Sequence, residues 1–347
     1  MLSPEEVAAT AATIAAAQRP DGLVPRSPGG AADPWNHVEA AMALTAGGRR
    51  ADAERAYRWL ATTQHVDGSW CAGYHAGRIT DATRDTNQSS YVAVGVWHHY
   101  LATGDAGFLE AMFPVVDAAV GFAVRHQRPG GEVRWAVAPD GRPDDMALLT
   151  ASSSVYLSLR CAVATAEHLG RPRPGWEAAA RRLGAAVAHR PDAFDARDRW
   201  AMDWYYPVLC GAVRGSAARR RLLGRWDEFV LDGRGVRCVG DRPWVTAAET
   251  AECALACGAC GMDAEAVALL EWARALRHHD GSYWTGYVHP DGVHFPAGER
   301  TTYSAAAVVL AAAALTGDGR AAALFRGPSL PPALVRSAPV ADPAQHP

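Results

Sequence analysis

The sequence predicts an all-α protein built as an (α/α)6 barrel, a toroid of six inner and six outer helices in a single domain. Three observations carry that expectation. Helical periodicity recurs from end to end, while strand signals are nearly absent. Alternate helical segments differ in character: one is amphipathic with a charged face, and the next is almost without charge beyond its first turn. Outer segments repeatedly stop in a polar turn that ends in glycine. A helix that is apolar or small all round is buried on every side, so six such helices alternating with six half-exposed ones describe two concentric rings. With 347 residues, 49% hydrophobic and 20% charged, the chain is long enough to bury that core.

In chain order the first outer segment, 4–17, stops at Gln18-Arg-Pro-Asp-Gly22. The first inner segment, 34–47, opens on Asp33-Pro-Trp-Asn-His-Val-Glu39, with the carboxylate at the N-cap and proline in the first turn. Segment 50–64 carries the charged face of Ala51-Asp-Ala-Glu-Arg-Ala-Tyr-Arg-Trp-Leu60 and stops at Gln64-His-Val-Asp-Gly68. Segment 87–103 opens on Asp85-Thr-Asn-Gln-Ser-Ser-Tyr91, and segment 106–126 stops at Gln127-Arg-Pro-Gly-Gly131. Segment 150–169 opens on Thr150-Ala-Ser-Ser-Ser-Val-Tyr156 and is backed by 173–188. Segment 204–214 follows Asp203, and 216–230 holds the basic run Arg219, Arg220 and Arg221, read as a solvated face. Segment 244–259 follows Asp241-Arg-Pro, 263–277 stops at His278-His-Asp-Gly-Ser282, and 302–316 follows Glu299-Arg-Thr. Glycine fits the left-handed position that such helix stops require. The barrel is expected over 1–327, with an irregular Pro/Ala-rich tail over 328–347.

Composition narrows the chemistry. There is no lysine, and all 34 basic residues are arginine. That excludes a Schiff-base lysine, a pyridoxal-phosphate anchor and a P-loop lysine, and no cofactor or metal is expected. A net charge of −3 argues against a nucleic-acid partner. The seven cysteines are odd in number and scattered, which does not suit a disulfide framework. The longest apolar run, Ala305 to Leu315, is too short to span a bilayer, and the first residues lack the order of a signal peptide. A soluble cytoplasmic protein with a small-molecule substrate is the expectation.

Arg55-Ala-Tyr-Arg-Trp-Leu-Ala-Thr-Thr-Gln64-His-Val-Asp-Gly68-Ser-Trp70 resembles the QW repeat of squalene cyclases and protein prenyltransferases. A second stretch resembles the glucoamylase-type, six-hairpin glycoside hydrolases. It runs from Asp85–Tyr91 through Tyr100–Asp105 and Arg134-Trp135 to Thr150–Tyr156 and Ala166–Gly170. Both resemblances imply the toroid. The second implies a general-acid glutamate after the tryptophan, but Ala136 and Val137 follow Trp135 here. The acid of a glycosidase would therefore have moved, to Glu249 or Glu299. The first implies an Asp-x-Asp-Asp motif, for which Asp81 to Asp85 and Asp144-Asp145 are poor substitutes.

In a toroid the N-terminal ends of the inner helices converge on one funnel, where free N–H groups and helix dipoles favour polar or anionic groups. Polar and aromatic residues gather at these starts and give way to Ala, Val and Leu further along. Capping explains Asp33, Asp85, Asp203 and Asp241 as well as function does. Glu39 lies beyond any cap, and a buried carboxylate without a task is costly. Glu249 and Glu252 sit three apart on one helix face, Glu252 deeper and read as structural. The catalytic candidates are Glu249, Glu299, Asp85, Asp203 and Glu39. Candidate substrate contacts are the aromatics Trp35, Tyr91, Tyr156, Trp204, Tyr205, Trp244, Trp284 and Tyr303, with Tyr206 in the same cluster. Polar contacts would come from Asn36, His37, Asn87, Gln88, Arg242, His289 and Arg300.

The reading is a carbohydrate-active enzyme using general acid–base carboxylates. The alternatives are a terpenoid cyclase or prenyltransferase acting on an isoprenoid, and a non-catalytic binding toroid.

Overall fold

The computed structural model describes residues 1–317 and 319–326; the tail expected over 328–347 lies outside the described residues. Helix dominates. The helices are α1 (Pro4–Ala17), α2 (Pro34–Ala46), α3 (Arg50–Thr63), α4 (Thr86–Ser90), α5 (Val92–Thr103), α6 (Ala106–Arg125), α7 (Leu149–His168) and α8 (Pro174–His189). They continue as α9 (Ala201–Leu209), α10 (Gly215–Leu223), α11 (Trp226–Phe229), α12 (Ala247–Ala259), α13 (Asp263–Arg274), α14 (Thr302–Thr316) and α15 (Ala323–Arg326). Local sequence explains their starts. Ser3 and Glu6 form a reciprocal capping box on α1, and Asp33, Asp85 and Asp105 cap α2, α4 and α6.

Six of these units pack in cyclic succession: α2, α4 with α5, α7, α9, α12 and α14, with α14 closing back on α2. Their composition is what permits this. In α7 every residue from Ala151 to Ala166 is buried, and α14 is mostly Ala, Val and Leu. The amphipathic helices α1, α3, α6, α8, α10 and α13 each pack one face against this ring. Helix α6 is long and apolar enough to cross a membrane by length and composition; Glu110 and Asp117 interrupt it, so the search for an uninterrupted apolar run, which led to Ala305–Leu315, passed it over. Here its buried residues, from Leu109 to Ala123, recur at helical spacing and face α4, α5 and α7.

The recurring Gln–Gly turns are stitches between successive outer helices. Gln18 Nε2 donates to the Gly22 carbonyl and to that of Asp52 in α3, at 2.9 and 3.0 Å. Gln64 does the same to Gly68 and to Val115 of α6, both at 3.0 Å. Gln127 repeats it with Gly131 and Ala179 of α8, both at 2.9 Å. The fourth turn packs Gly281 against Ala9 of α1. Each of these glycines has a positive φ, from +91° to +105°. At the first three, a Cβ would collide with a backbone carbonyl of the next outer helix, that of Arg55, Ala118 or Arg182. Only glycine lets the turn lie flat enough for its glutamine to reach across. Trp70, the tryptophan of the same motif, donates its indole N–H to the Leu60 carbonyl at 3.1 Å, satisfying the end of α3.

The expectation of almost no strand is overturned. Short pairs form from β1 (Gly73–His75) with β2 (Arg78–Asp81), and from β3 (Arg84–Asp85) with β4 (Ala136–Val137). A five-stranded antiparallel sheet runs in sequence order through β5 (Val230–Leu231), β6 (Gly235–Arg237), β7 (Trp244–Thr246), β8 (Trp284–Val288) and β9 (Val293–Arg300). The helix expected over 216–230 breaks after Gly224 and delivers Val230 into this sheet. The helix expected from 244 begins instead at Ala247, because Trp244-Val-Thr pairs with β8. A turn signal, Asp291-Gly292 between two β-rich runs, was present for the β8–β9 hairpin. Arg221, read as solvated, turns inward and donates to the Asp203 and Trp204 carbonyls.

Candidate active site

The first turns of all six inner units meet around a cavity of 350 Å³. Trp35 and Asn36 come from α2, Asn87 and Gln88 from α4, Thr150 from α7, and Met202 and Tyr206 from α9. Helix α12 contributes Ala248, Glu249 and Glu252, α14 contributes Tyr303, and Arg26, Asp33 and Asp85 complete the wall. Of the sequence candidates, the structure thus brings together Trp35, Asn36, Asp85, Asn87, Gln88, Glu249 and Tyr303.

The four carboxylates of this cavity differ in their partners. Asp33 is saturated: it accepts from the Asn36 N–H at 2.9 Å, from Asn36 Nδ2 at 2.6 Å and from Arg26 Nε at 2.5 Å. Asp85 accepts from the Gln88 N–H at 2.9 Å, yet burial pushes its pKa up to about 6 and the nearby Asp33 charge adds to that. Capping and cavity lining are therefore not alternatives for these two residues, since each carboxylate does both. Glu252 is enclosed by the hydroxyls of Tyr205 and Tyr206, the latter at 2.9 Å. Burial, then the Glu39 charge, holds it well above the usual carboxylate range. Glu249 is partly open to the cavity and accepts at Oε2 from Thr246 Oγ1, with its own backbone N–H as a further partner. Burial raises its pKa as well.

Glu39 lies one layer behind. It is 5% exposed, accepts from Tyr91 Oη at 2.7 Å and is pushed up to about 7 by burial. Tyr91 in turn stacks on Trp35 with ring centroids 5.2 Å apart. Three buried polar atoms of cavity residues have no protein partner among the described residues: Trp35 Nε1, Asn87 Oδ1 and Gln88 Oε1. Buried polar groups are normally hydrogen-bonded, so these are groups a polar ligand would satisfy.

The remaining candidates lie elsewhere. His37 is locked between the Val24 N–H and the Ala56 carbonyl, and burial takes its pKa down to about 4. Trp204 donates to the Arg221 and Leu222 carbonyls and stacks on Phe229. Tyr205 reaches Glu252 from behind, and Tyr156 packs against Gly184 of α8. Asp203 binds the N–H and hydroxyl of Thr150 and faces a separate cavity, toward Arg197 and Arg221. The five-stranded sheet carries the others away from the funnel: Trp244 stacks on Phe295 under Arg242, and His289 pairs with the Pro243 carbonyl. Trp284 lies between His294 and Arg300. Glu299 and Arg300 line a neighbouring cavity of 490 Å³, where Arg300 holds Asp280, His278 and Ser282. Sequence reasoning missed Arg26 and Met202 outright, left Asp33 open between cap and function, and read Glu252 as structural. No periodicity marks Arg26, which reaches the site from a loop.

A polar cavity ringed by carboxylates, at one end of a closed ring of helices, defines a glycosidase-like enzyme. No known family model matches the chain. It is 50% identical over 331 residues to the MMP endo-(1,4)-3-O-methyl-α-D-mannosidase of Mycolicibacterium hassiacum, covering 95% of this chain and 92% of that protein. The chain belongs to the family of that mannosidase. Among solved structures it resembles a glycosidase in complex with glucose, with TM-score 0.70 at 18% identity, over 90% of this chain and 96% of that one. It also resembles the GH63 mannosylglycerate hydrolase of Thermus thermophilus, with TM-score 0.63 at 14% identity, over 88% and 99%. A D-mannose isomerase shares the fold too, with TM-score 0.66 at 11% identity, over 88% of this chain and 96% of that one. The squalene-cyclase resemblance finds no support in these likenesses, and the turns that carried it are accounted for by the stitching of outer helices. An isoprenoid substrate is unsupported as well.

Proposed function

We propose that residues 1–327 form an (α/α)6 barrel that hydrolyses a (1,4)-linked 3-O-methyl-α-D-mannoside with inversion of configuration. The substrate follows the name of the half-identical relative, and Met202 and Ala248 offer apolar surface for a methyl ether among otherwise polar walls. The observation that carries the mechanism is the cyclic order of helices. Asp85 caps α4 and Glu249 sits in the first turn of α12, three places apart in a ring of six. Carboxyls on opposite walls leave room for a water beside the anomeric carbon, as inversion requires, at a separation of about 6.5–9.5 Å.

In this mechanism Asp85 holds the proton, because burial raises its pKa and the neighbouring Asp33, ion-paired with Arg26, adds to the rise. Asp85 gives that proton to the glycosidic oxygen as the bond to C1 breaks. A water attacks C1 from the other face, and its proton passes to the Glu249 carboxylate. Trp35, Asn87 and Gln88 bind hydroxyls through their unpartnered atoms. The adjoining cavity at Glu299 and Arg300 takes further sugar units, in keeping with cleavage inside a chain.

The test is to incubate the protein with α-(1,4)-linked 3-O-methylmannose oligosaccharides and follow the products by mass spectrometry and proton NMR. Shorter oligosaccharides appearing first as the β-anomer are expected. Initial release of the α-anomer overturns the placement of the carboxylates, and absence of cleavage overturns the substrate.

A further inference from the structure

At the opposite end of the inner ring from the active site, one buried residue has no explanation in the hydrolysis. Arg160 lies within α7 and is 1% exposed. Its Nε and Nη2 have no hydrogen-bond partner, and no carboxylate pairs with it among the described residues. Its ring neighbour is Tyr156, with the guanidinium 5.5 Å from the ring centroid. An arginine does not escape burial by losing its proton, and an uncompensated buried charge is among the most costly features a fold can hold.

A second guanidinium approaches the same point. Gly211, just past α9, has φ +74°, and a Cβ there would lie 2.7 Å from Arg214 Nη2 and 3.0 Å from Arg160 Nη1. The glycine thus makes room for two arginine forks side by side. Arg160, Gly211 and Arg214 line a cavity of 60 Å³, together with Leu157, Cys210 and Phe325. Two like charges converging on a small, otherwise neutral cavity repel each other unless something negative lies between them. Burial is the largest influence lowering the Arg160 pKa; Tyr156 opposes it, and Arg214 acts in the same sense as burial.

We propose that this cavity is a binding site for a small anion, of halide to carboxylate size, held between Arg160 and Arg214. The volume suits such an ion and is too small for a sugar. The anion would offset the buried charge and tie α7 to the turn after α9, away from the catalytic cavity.

The test uses bromide as the probe. Thermal unfolding of the full chain is followed at constant ionic strength while bromide replaces a bulky organic sulfonate. Tm should rise with the logarithm of bromide concentration above half-saturation, and acetate should act similarly. Arg160→Met, which removes the charge and keeps the length, should melt higher than the wild type without bromide and show no bromide dependence. Arg214→Ala, at an exposed position, should retain glycosidase activity and require at least tenfold more bromide for the same rise. Crystals grown in bromide should show an anomalous peak between the two guanidinium groups. A water in that position, or equal bromide responses in wild type and both variants, overturns the proposal.

Discussion

Gly68→Ala tests how the outer ring is held together. Gly68 has φ +91°, and a Cβ there would stand 2.0 Å from the Ala118 carbonyl oxygen and 2.4 Å from its carbon. The left-handed backbone costs an L-residue about 1–2 kcal/mol by itself. The collision is with helix backbone, which cannot yield locally, so the turn must withdraw from α6. Withdrawal lengthens the bond from Gln64 Nε2 to the Val115 carbonyl, now 3.0 Å, and disturbs its partner bond to Gly68. Each such bond contributes about 1 kcal/mol net. The expected loss is therefore about 3–4 kcal/mol. At roughly 2 cal/mol/K of unfolding entropy per residue, that lowers Tm by about 4–6 °C. Differential scanning calorimetry reads it directly. Gly104→Ala is the control, because Gly104 has φ +71° with nothing within 4 Å of a Cβ, and it should lose only the backbone part. Equal Tm losses in the two variants would refute the stitching argument, as would a Gly68→Ala protein as stable as the wild type.

Glu249→Gln should lower kcat by about 10²–10⁴ with little change in KM, read from oligosaccharide cleavage; a wild-type kcat would remove Glu249 from the mechanism. Since Asp85 must be protonated and stands at about 6, kcat/KM should fall as pH rises through that value. Asp85→Asn should lose activity and that limb together. Glu39 is raised by burial to about 7, so its folded form binds a proton that the unfolded chain releases near pH 4. Wild-type stability should accordingly decline between about pH 4 and 7. Glu39→Gln should flatten that decline in a Tm-versus-pH series, and an unchanged slope would show that Glu39 does not titrate there. Trp35→Ala removes an aromatic face and an indole donor from the cavity, and KM should rise about tenfold with kcat less affected.

Much of the helical plan was legible because it rests on one-dimensional signals. Alternation of amphipathic and uncharged helices, aspartates at helix starts and glycines at helix stops are each readable within a few residues. The same holds for the gathering of polar and aromatic groups at the inner starts, which drew attention to Asp85, Asn87, Gln88, Glu249 and Tyr303. The failures have equally definite causes. Trp204 and Tyr205 sit in the same first turn as Met202 and Tyr206, but neighbouring helix positions point about 100° apart. Trp204 therefore turns to α10 and Phe229, and of the three aromatics only Tyr206 joins Met202 in the cavity wall. Trp244 and Trp284 looked like funnel residues, but strand pairing claims them, and Arg242 sits in the turn that leads into β7.

What the chain order alone determined was a succession of helices, which of them could be buried, and the absence of lysine from any chemistry. The missing lysine means that every cation near the cavity is an arginine, and Arg26 fills that role by pairing with Asp33. Only the tertiary structure decided which carboxylates line one cavity and which are held by tyrosine hydroxyls. It also decided that Arg160 lies buried with no carboxylate paired to it among the described residues. Those outcomes depend on side chains from segments far apart in sequence, and no local pattern records the angle at which a closed ring brings them together.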